Sequence, residues 1–225
     1  MIKNISNLGD AAVYCDFGVE VNKSVNSEVI KYFKALKKEN VESINNLTPS
    51  YNKLIVSYDL RKTNFKEVKK LIENLNVNET QDNNCTKIEI PVCCDDQFSL
   101  DIKRLEEKLN IKREKILENF FSKEYFCYMT GFIAGMPFLG DLDENMRVPR
   151  LETPRVKVPK GSVALTEQFA NIYTFESPGG WNILGNTPVD VFDNSKEVDP
   201  NLINPGDIVV FKQINLEDYN SYNDK

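Results

Sequence analysis

The chain has 225 residues, of which 41% are hydrophobic, so it can bury the cores of one large domain or two small ones. It carries 28 Lys and Arg residues against 34 Asp and Glu residues, a formal net charge of -6 at pH 7. This negative field repels phosphate backbones and anionic lipids, which argues against nucleic acid as a partner. No stretch approaches the roughly 18 apolar residues that span a bilayer, and we expect a cytoplasmic protein without a membrane partner.

The counts of histidine and cysteine restrict the chemistry of the chain. The sequence contains no histidine, which excludes Ser-His-Asp and Cys-His sites and the HExxH zinc site within it. Acid–base chemistry must therefore come from carboxylates, lysine, tyrosine or another subunit. The five cysteines form no CxxC pair, and the adjacent Cys93 and Cys94 would point to opposite faces of a strand. We expect reduced, mostly buried thiols and no metal site.

The first 85 residues begin with the pattern of an α+β unit, in which helices cover one face of a sheet. A strand is predicted over residues 11–16, and apolar residues then follow helical spacing from Val25 to Leu36. Asn22 or Ser24 is suited to cap this helix, because either side chain can accept a hydrogen bond from a free backbone N–H group of the first turn.

Further strands and a second helix complete this unit. Strand-like runs at 41–47 and 53–58 are separated by a Thr-Pro-Ser turn, as in a hairpin. An amphipathic helix is predicted over 65–75, and another strand over 85–92. The order β-α-β-β-α-β predicts a ferredoxin-like N-terminal domain over residues 1–85.

The remaining residues, 86–225, predict a mainly β domain that is entered through helices. Two helices are predicted over 100–109 and 116–121, and helical spacing stops beyond Tyr125. Short apolar runs then alternate with turns that pair Pro with Gly, as type II turns require, and this spacing is typical of a closed or nearly closed β barrel. The polar tail, 216–225, is expected to be frayed. The turns are Pro159-Lys160-Gly161, Pro178-Gly179-Gly180 and Asn204-Pro205-Gly206.

Two clusters in this region hold more functional groups than a barrel needs. The first, residues 128–140, is apolar and interrupted by glycines, and it contains Phe132. The second places Arg150 and Arg155 in a stiff segment bounded by prolines, where a guanidinium group is suited to bind a carboxylate or phosphate through two hydrogen bonds.

A third cluster combines the carboxylate of Glu176 with the backbone amides of Gly179 and Gly180 and the single tryptophan, Trp181. Each of the three clusters also has a structural explanation, namely turns, local ion pairs or core packing. For any single arginine the structural ion pair is the commoner role. No phosphate-binding loop is visible, because the run Lys-Gly-Ser at 160–162 lacks the upstream glycine of GxxxxGK[ST].

Short motifs rich in Pro and Gly run along nearly the whole chain. They include Ile90-Pro91-Val92, Pro137-Phe138-Leu139-Gly140, Pro149-Arg150, Thr153-Pro154-Arg155, Glu176-Ser177-Pro178-Gly179-Gly180-Trp181, Gly185-Asn186-Thr187-Pro188 and Pro205-Gly206-Asp207. Together they closely resemble the family of the 5-oxoprolinase B subunit, whose members also carry the names allophanate hydrolase subunit 1 and KipI.

The resemblance implies that the C-terminal domain is a cyclophilin-like barrel. It also implies a cyclophilin-like partner, the C subunit, and a further partner, the A subunit, which together with this chain cleave 5-oxoproline to glutamate at the expense of ATP. ATP would bind at the shared interface or to one of the partners. Glu176 would assist proton transfer. The substrate-binding residues would be Arg150, Arg155, Phe132, Gly179, Gly180 and Trp181.

Two other functions follow from the same resemblance. The KipI name implies a regulatory protein that binds and inhibits a sensor histidine kinase. The cyclophilin-like fold suggests a prolyl isomerase, but a fold does not carry an activity by itself, and this is the weakest of the three hypotheses.

Overall fold

The structure is a computed structural model that describes residues 1–77 and 85–223. The chain divides into two units, Met1–Asn84 and Cys85–Lys225, and each has its own hydrophobic core. The prediction of a two-domain α+β protein is therefore confirmed at this level. Within the described residues, no helix is long and apolar enough to cross a membrane.

The first unit is an antiparallel sheet with two helices. Its elements, in chain order, are β1 (Asn4–Asn7), β2 (Ala12–Asp16), α1 (Lys23–Glu39), β3 (Ile44–Pro49), β4 (Lys53–Tyr58) and α2 (Phe65–Glu73). The strands pair in the order β1-β2-β4-β3, and every pair is antiparallel. Alternate residues of β2 and β4 are buried in one core with the apolar face of both helices. This core contains Val13, Cys15, Val29, Leu36, Leu54, Val56, Val68 and Ile72.

The helix caps of this unit follow from local sequence. Asn22 caps α1, as one of the two predicted candidates, and its Oδ1 accepts a hydrogen bond from the backbone N–H of Val25 at 2.9 Å. Asn64 caps α2 in the same way. The C-cap of α1 is Asn40, whose φ of 45° lies in the left-handed region that Asn tolerates better than most residues.

The predicted order β-α-β-β-α-β is wrong. An additional strand, β1, precedes the first predicted strand. The strand predicted over 85–92 is β5 (Lys87–Cys93), which belongs to the second unit and pairs there with strands near the end of the chain. The alternation of a strand indicates that it is half-buried, but it does not specify which strand it pairs with.

The second unit contains a closed barrel. After β5 its elements are α3 (Ile102–Leu109), α4 (Arg113–Phe121), β6 (Glu124–Thr130), β7 (Pro137–Gly140), a short 3-10 helix (Glu144–Met146), β8 (Arg155–Val158), β9 (Ser162–Thr166), β10 (Phe169–Ile172), β11 (Ser177–Gly179), β12 (Asn182–Asn186), β13 (Ile208–Ile214) and α5 (Leu216–Asn223). The barrel order is β10-β7-β6-β13-β5-β12-β9, closed by the pairing of β9 with β10. Among the described strands, only β5 and β13 pair in parallel. β8 and β11 form a separate antiparallel sheet, here called the hairpin sheet.

In one region of the barrel, the strands are buried on both their inner and their outer face. Leu165, Ile172 and Leu184 belong to the main core, which fills the barrel. Ala164 and Ile183, their alternate neighbours, belong to a second cluster on the opposite face of the strands. This outer cluster is completed by Met136, Val158, Tyr173 and Trp181, and Val158 brings the hairpin sheet against it.

Two local predictions for the second unit are wrong. Residues 216–223 are not frayed but form α5, where the hydroxyl of Tyr219 donates to Oδ1 of Asn186 at 2.8 Å. Residues 224–225 lie outside the described part of the chain. The predicted turn at Pro178-Gly179-Gly180 is instead the end of β11. The other two turns have the expected positive φ at Gly161 (80°) and Gly206 (98°).

The prediction of reduced, mostly buried cysteines is confirmed. All the cysteines are free thiols, and each is buried except Cys85, whose Sγ lies 2.9 Å from the carbonyl oxygen of Gly206. Burial raises the pKa of the Cys94 thiol to about 12, so this thiol stays protonated at neutral pH.

Candidate functional site

A buried ion pair joins the start of α3 to the hairpin sheet. Nη2 of Arg155, the first residue of β8, donates to Oδ1 of Asp101 at 2.7 Å. Oδ2 of the same carboxylate accepts the backbone N–H of Ile183 in β12, also at 2.7 Å. The side chain of Asp101 is 6% exposed and that of Arg155 is 28% exposed, so the carboxylate is withdrawn from water while both of its oxygens are hydrogen-bonded.

Asp101 was not identified from the sequence. It is the N-cap residue of α3, and an Asp before an amphipathic helix predicts a capping role. In the structure its side chain makes no hydrogen bond to the helix. The carboxylate instead orients Arg155, and the positive end of the helix dipole favours its charge.

Two further arginines lie close to this ion pair. Nε of Arg104 in α3 donates to Oδ1 of Asn182, the neighbour of Ile183, at 2.9 Å, and its Nη2 lies 3.4 Å from the carbonyl oxygen of Arg150. A Cβ atom placed on Gly180 would lie 3.6 Å from Nε of Arg150. Three guanidinium groups thus lie near the carboxylate of Asp101, and their summed positive charge favours an anion.

The hydroxyl of Tyr173 lies at the centre of the region. A Cβ atom on Gly179 would lie 2.1 Å from Oη of Tyr173, so only glycine allows β11 to pass this close. Burial raises the pKa of the Tyr173 hydroxyl, while the amide of Asn171, the backbone N–H of Trp181 and the guanidinium groups of two arginines act in the opposite direction. The two arginines are Arg150 and Arg155. The phenol is thus neutral at neutral pH and can donate a hydrogen bond.

Buried polar atoms of the hairpin sheet have no hydrogen-bond partner within the described residues. They are Nη1 of Arg155 and Oγ of Ser177. Ser177 lies in β11 and Arg155 in β8, the two strands of the hairpin sheet. Buried polar atoms are almost always paired, so a concentration of unpaired ones indicates a place where a ligand or ordered water binds.

The structure brings together five of the seven residues predicted for the site. Trp181 is buried and packs edge-on against Phe138, with ring centroids 5.5 Å apart. It lies in the outer cluster with Tyr173, beside the two arginines and the two glycines described above. These five residues are Arg150, Arg155, Gly179, Gly180 and Trp181.

The other two predicted residues lie at the surface. Glu176 forms an ion pair with Lys157 at 2.8 Å, and both side chains are more than half exposed. Phe132 is 69% exposed, and its φ of 71° is in the left-handed region. No group of at least three Cys, Asp or Glu side chains within residues 1–77 and 85–223 is placed to hold a metal ion.

Comparison with known proteins extends along most of the chain. Residues 3–203 match the family model described as "Carboxyltransferase domain, subdomain C and D". The B subunit of 5-oxoprolinase from Bacillus subtilis is 30% identical over 98% of this chain and 97% of its own length. The protein of the same name from Haemophilus influenzae is 32% identical over 92% of this chain and 96% of its own length.

A solved structure agrees with the observed fold. The crystal structure of TTHA0988 matches this chain with a TM-score of 0.82 at 30% identity, covering 91% of this chain and 40% of that one. This chain therefore corresponds to less than half of that protein. The chain is 30% and 32% identical to the two bacterial relatives over nearly its full length, and it matches the family model. It therefore belongs to the 5-oxoprolinase B-subunit family of carboxyltransferase C and D subdomains.

Proposed function

We propose that this chain is the B subunit of an ATP-dependent 5-oxoprolinase, which cleaves 5-oxoproline to glutamate only when its partners, the A and C subunits, are present. The assignment is supported by the names of the two bacterial relatives and by their 30% and 32% identity over nearly the full length of this chain. The structural observation that carries it is the guanidinium group of Arg155, which is oriented by Asp101 and has a buried, unpaired Nη1.

This guanidinium group is suited to bind the carboxylate of the substrate. Asp101 fixes Nη2, so little conformational entropy remains to be lost when an anion binds to Nη1. Arg104 and Arg150 keep the surroundings positive after Asp101 has neutralised Arg155. In this proposal Trp181 forms an apolar wall of the site, Gly179 lets β11 pass close to Tyr173, and Gly180 leaves room beside the wall.

The catalytic groups of the site are shared with a partner. The chain has no histidine, and the proposed proton-transfer residue, Glu176, is an exposed member of an ion pair. Glu176 and Phe132 are both accessible, so we place their roles at the surface shared with a partner. TTHA0988, in which a chain of this kind accounts for 40% of the length, supports the idea that this domain works beside additional protein.

ATP is assigned to the interface with a partner or to the partner itself. The chain contains no GxxxxGK[ST] loop, which would cradle phosphates with its backbone N–H groups. The barrel is assigned to the cyclophilin-like class, and the C subunit is expected to have a related fold.

The isolated chain is expected to hydrolyse neither 5-oxoproline nor allophanate, because its sequence contains no histidine to activate a nucleophile and no GxxxxGK[ST] loop. Glutamate and ADP should appear only when the chain is mixed with the A and C subunits. Release of glutamate is measured with the chain alone, with each partner and with both. Turnover by the pure chain would contradict the shared site, and no turnover by the full mixture would favour the KipI-like regulatory function.

Arg155→Lys should lower kcat/KM of the assembled complex by about 10-fold or more, which corresponds to about 1.4 kcal/mol of transition-state binding. Lysine keeps the charge and one contact to Asp101 but loses the planar fork that presents Nη1. The control is Arg61→Lys, at an exposed ion pair with Asp59 in the first unit, which should change nothing. Unchanged turnover with Arg155→Lys would remove Arg155 from the site.

A further inference from the structure

Three apolar side chains of the second unit are exposed although they are of the kind that folding buries. They are Phe132, in the loop between β6 and β7, Phe175, which lies shortly before β11, and Val156 in β8. Exposed apolar residues that adjoin one another mark surfaces where other proteins bind, and aromatic residues contribute most to such binding. We therefore asked whether these side chains belong to one surface.

The loop that carries Phe132 is held in a fixed conformation. The hydroxyl of Thr174 donates to the carbonyl oxygen of Ala134 at 2.7 Å. Gly135 has a φ of 70°, and a Cβ atom placed on it would lie 2.3 Å from Cδ2 of Phe192, so the loop packs tightly on that ring. Phe132 is thus presented to solvent by a fixed loop, at a positive φ that a bulky residue rarely adopts.

Contacts between side chains connect this loop to the hairpin sheet. The ring of Phe192, against which Gly135 packs, also meets the ring of Phe175 edge-on, with centroids 5.7 Å apart. The residue after Phe175 is Glu176, which forms an exposed ion pair with Lys157 of β8. The surface therefore runs without a break from the loop to β8.

A bulge in β8 extends this surface to Val156. Between the two paired positions of the hairpin sheet, Val156 and Lys157 face the single residue Pro178 of β11. Such an extra residue bends the strand and redirects its side chains, and here both are exposed, Val156 to 80%. Arg155 is the residue before Val156, so the surface begins next to the proposed substrate site. The apolar surface, as we call it, consists of Phe132, Val156, Phe175 and the ion pair of Lys157 with Glu176.

The charge of the apolar surface fits a protein partner. Its two charged side chains, Lys157 and Glu176, neutralise each other, whereas the whole chain has a formal net charge of -6. A neutral area on an acidic chain lets another protein approach without repulsion of like charges, and burial of apolar side chains then provides the affinity.

We propose that the C subunit docks on the apolar surface and buries Phe132 and Val156. This assignment rests on the proposed function. The chain has no histidine, so a partner must bring catalytic groups within reach of a ligand held by Arg155, and a subunit that covers Val156 reaches this position. The C subunit is expected to have a related fold and hence an equivalent loop and strand pair, and two related surfaces can pack on each other much as in a symmetric dimer.

The first test measures the affinity of the full chain for the purified C subunit by calorimetry. Phe132→Asn removes the ring, and Asn tolerates the positive φ, so binding should weaken by about 10-fold or more, equivalent to about 1.4 kcal/mol. Val156→Gln should weaken binding by about 5-fold or more without changing the charge beside Arg155. Val198→Gln is the matched control, because Val198 is 77% exposed and lies between β12 and β13, and it should bind like the wild type.

The second test measures the melting temperature of the same variants. The side chains of Phe132 and Val156 are exposed, so both variants should melt within about 2 °C of the wild type. A larger fall in Phe132→Asn would show that the ring stabilises the fold, and it would overturn the docking role of Phe132.

The outcomes separate this proposal from the proposed function. Wild-type affinity of both variants for the C subunit would overturn the docking surface and leave the function intact. A wild-type chain that does not bind the C subunit would reject the function together with the proposed occupant. If Phe132→Asn instead weakens binding to the A subunit, or self-association of the chain, the surface belongs to that contact and the assignment to the C subunit is overturned.

Discussion

Replacing Asp101 with alanine is expected to lower the free energy of unfolding by about 3 kcal/mol, and the melting temperature of the chain by about 6–12 °C. The substitution leaves the guanidinium group of Arg155 without its carboxylate and removes the acceptor of the Ile183 N–H group, which is buried. Removing one member of a buried pair costs about 3–5 kcal/mol, and the partial exposure of Arg155 places this one at the lower end. Chemical denaturation followed by circular dichroism measures the change.

The matched control for Asp101→Ala is Asp190→Ala. Asp190 pairs with Lys160 at 2.6 Å, but both side chains are about half exposed or more, so its loss should cost less than about 1 kcal/mol. Asp101→Asn should fall between the two, because it retains an acceptor for Ile183 and loses the charge opposite Arg155. Equal stability of Asp101→Ala and Asp190→Ala would show that the buried pair contributes nothing specific.

The parts of the fold that were predicted correctly depend on residues close in sequence. The helices α1 to α4 were predicted because a period of 3.6 residues is visible within a single segment. The turns at Gly161 and Gly206 were predicted because Pro and Gly specify their own backbone angles. Pro178-Gly179-Gly180 contains the same residues, yet Gly179 lies in a strand, since its role is close packing against Tyr173 and not a turn.

The parts that were missed depend on contacts between distant segments. β5 was assigned to the first unit because it follows α2, whereas its parallel partner β13 lies more than a hundred residues later. Helix α5 is polar and has little helical pattern of its own, but its Tyr219 packs against Phe98 with ring centroids 4.5 Å apart. No local pattern encodes either contact.

In the candidate site, too, some residues are indicated by the local sequence and others are revealed only by contacts made after folding. Arg155 and the run Gly179-Gly180-Trp181 stand out in the sequence because of their residue types and their prolines. Asp101 does not, because its importance comes from the hydrogen bonds that it makes after folding. An ordinary Asp before a helix carries no signal that its carboxylate orients an arginine.

Gly179→Ala is expected to destabilise the chain by about 3 kcal/mol and to lower kcat/KM of the assembled complex. The new Cβ atom would lie 2.1 Å from Oη, 2.8 Å from Cζ and 2.9 Å from Cε1 of Tyr173. Tyr173 is 1% exposed and packed in the outer cluster, so the ring has little space to move and β11 must shift instead. Because Gly179 is paired with Arg155 across the hairpin sheet, this shift also displaces the guanidinium group.

The adjacent glycine provides the control for this prediction. A Cβ atom on Gly180 would have its nearest contact at 3.5 Å, with Pro154, which is an ordinary van der Waals distance. Gly180→Ala should therefore change stability by less than about 0.5 kcal/mol. Tyr173→Phe removes the closest clash, with Oη, but keeps those with the ring carbons. Gly179→Ala should therefore cost less stability in the Tyr173→Phe background than it does in the wild type. If Gly179→Ala and Gly180→Ala melt at the same temperature, β11 does not lie against Tyr173 as described, and the close approach cannot be what positions Arg155.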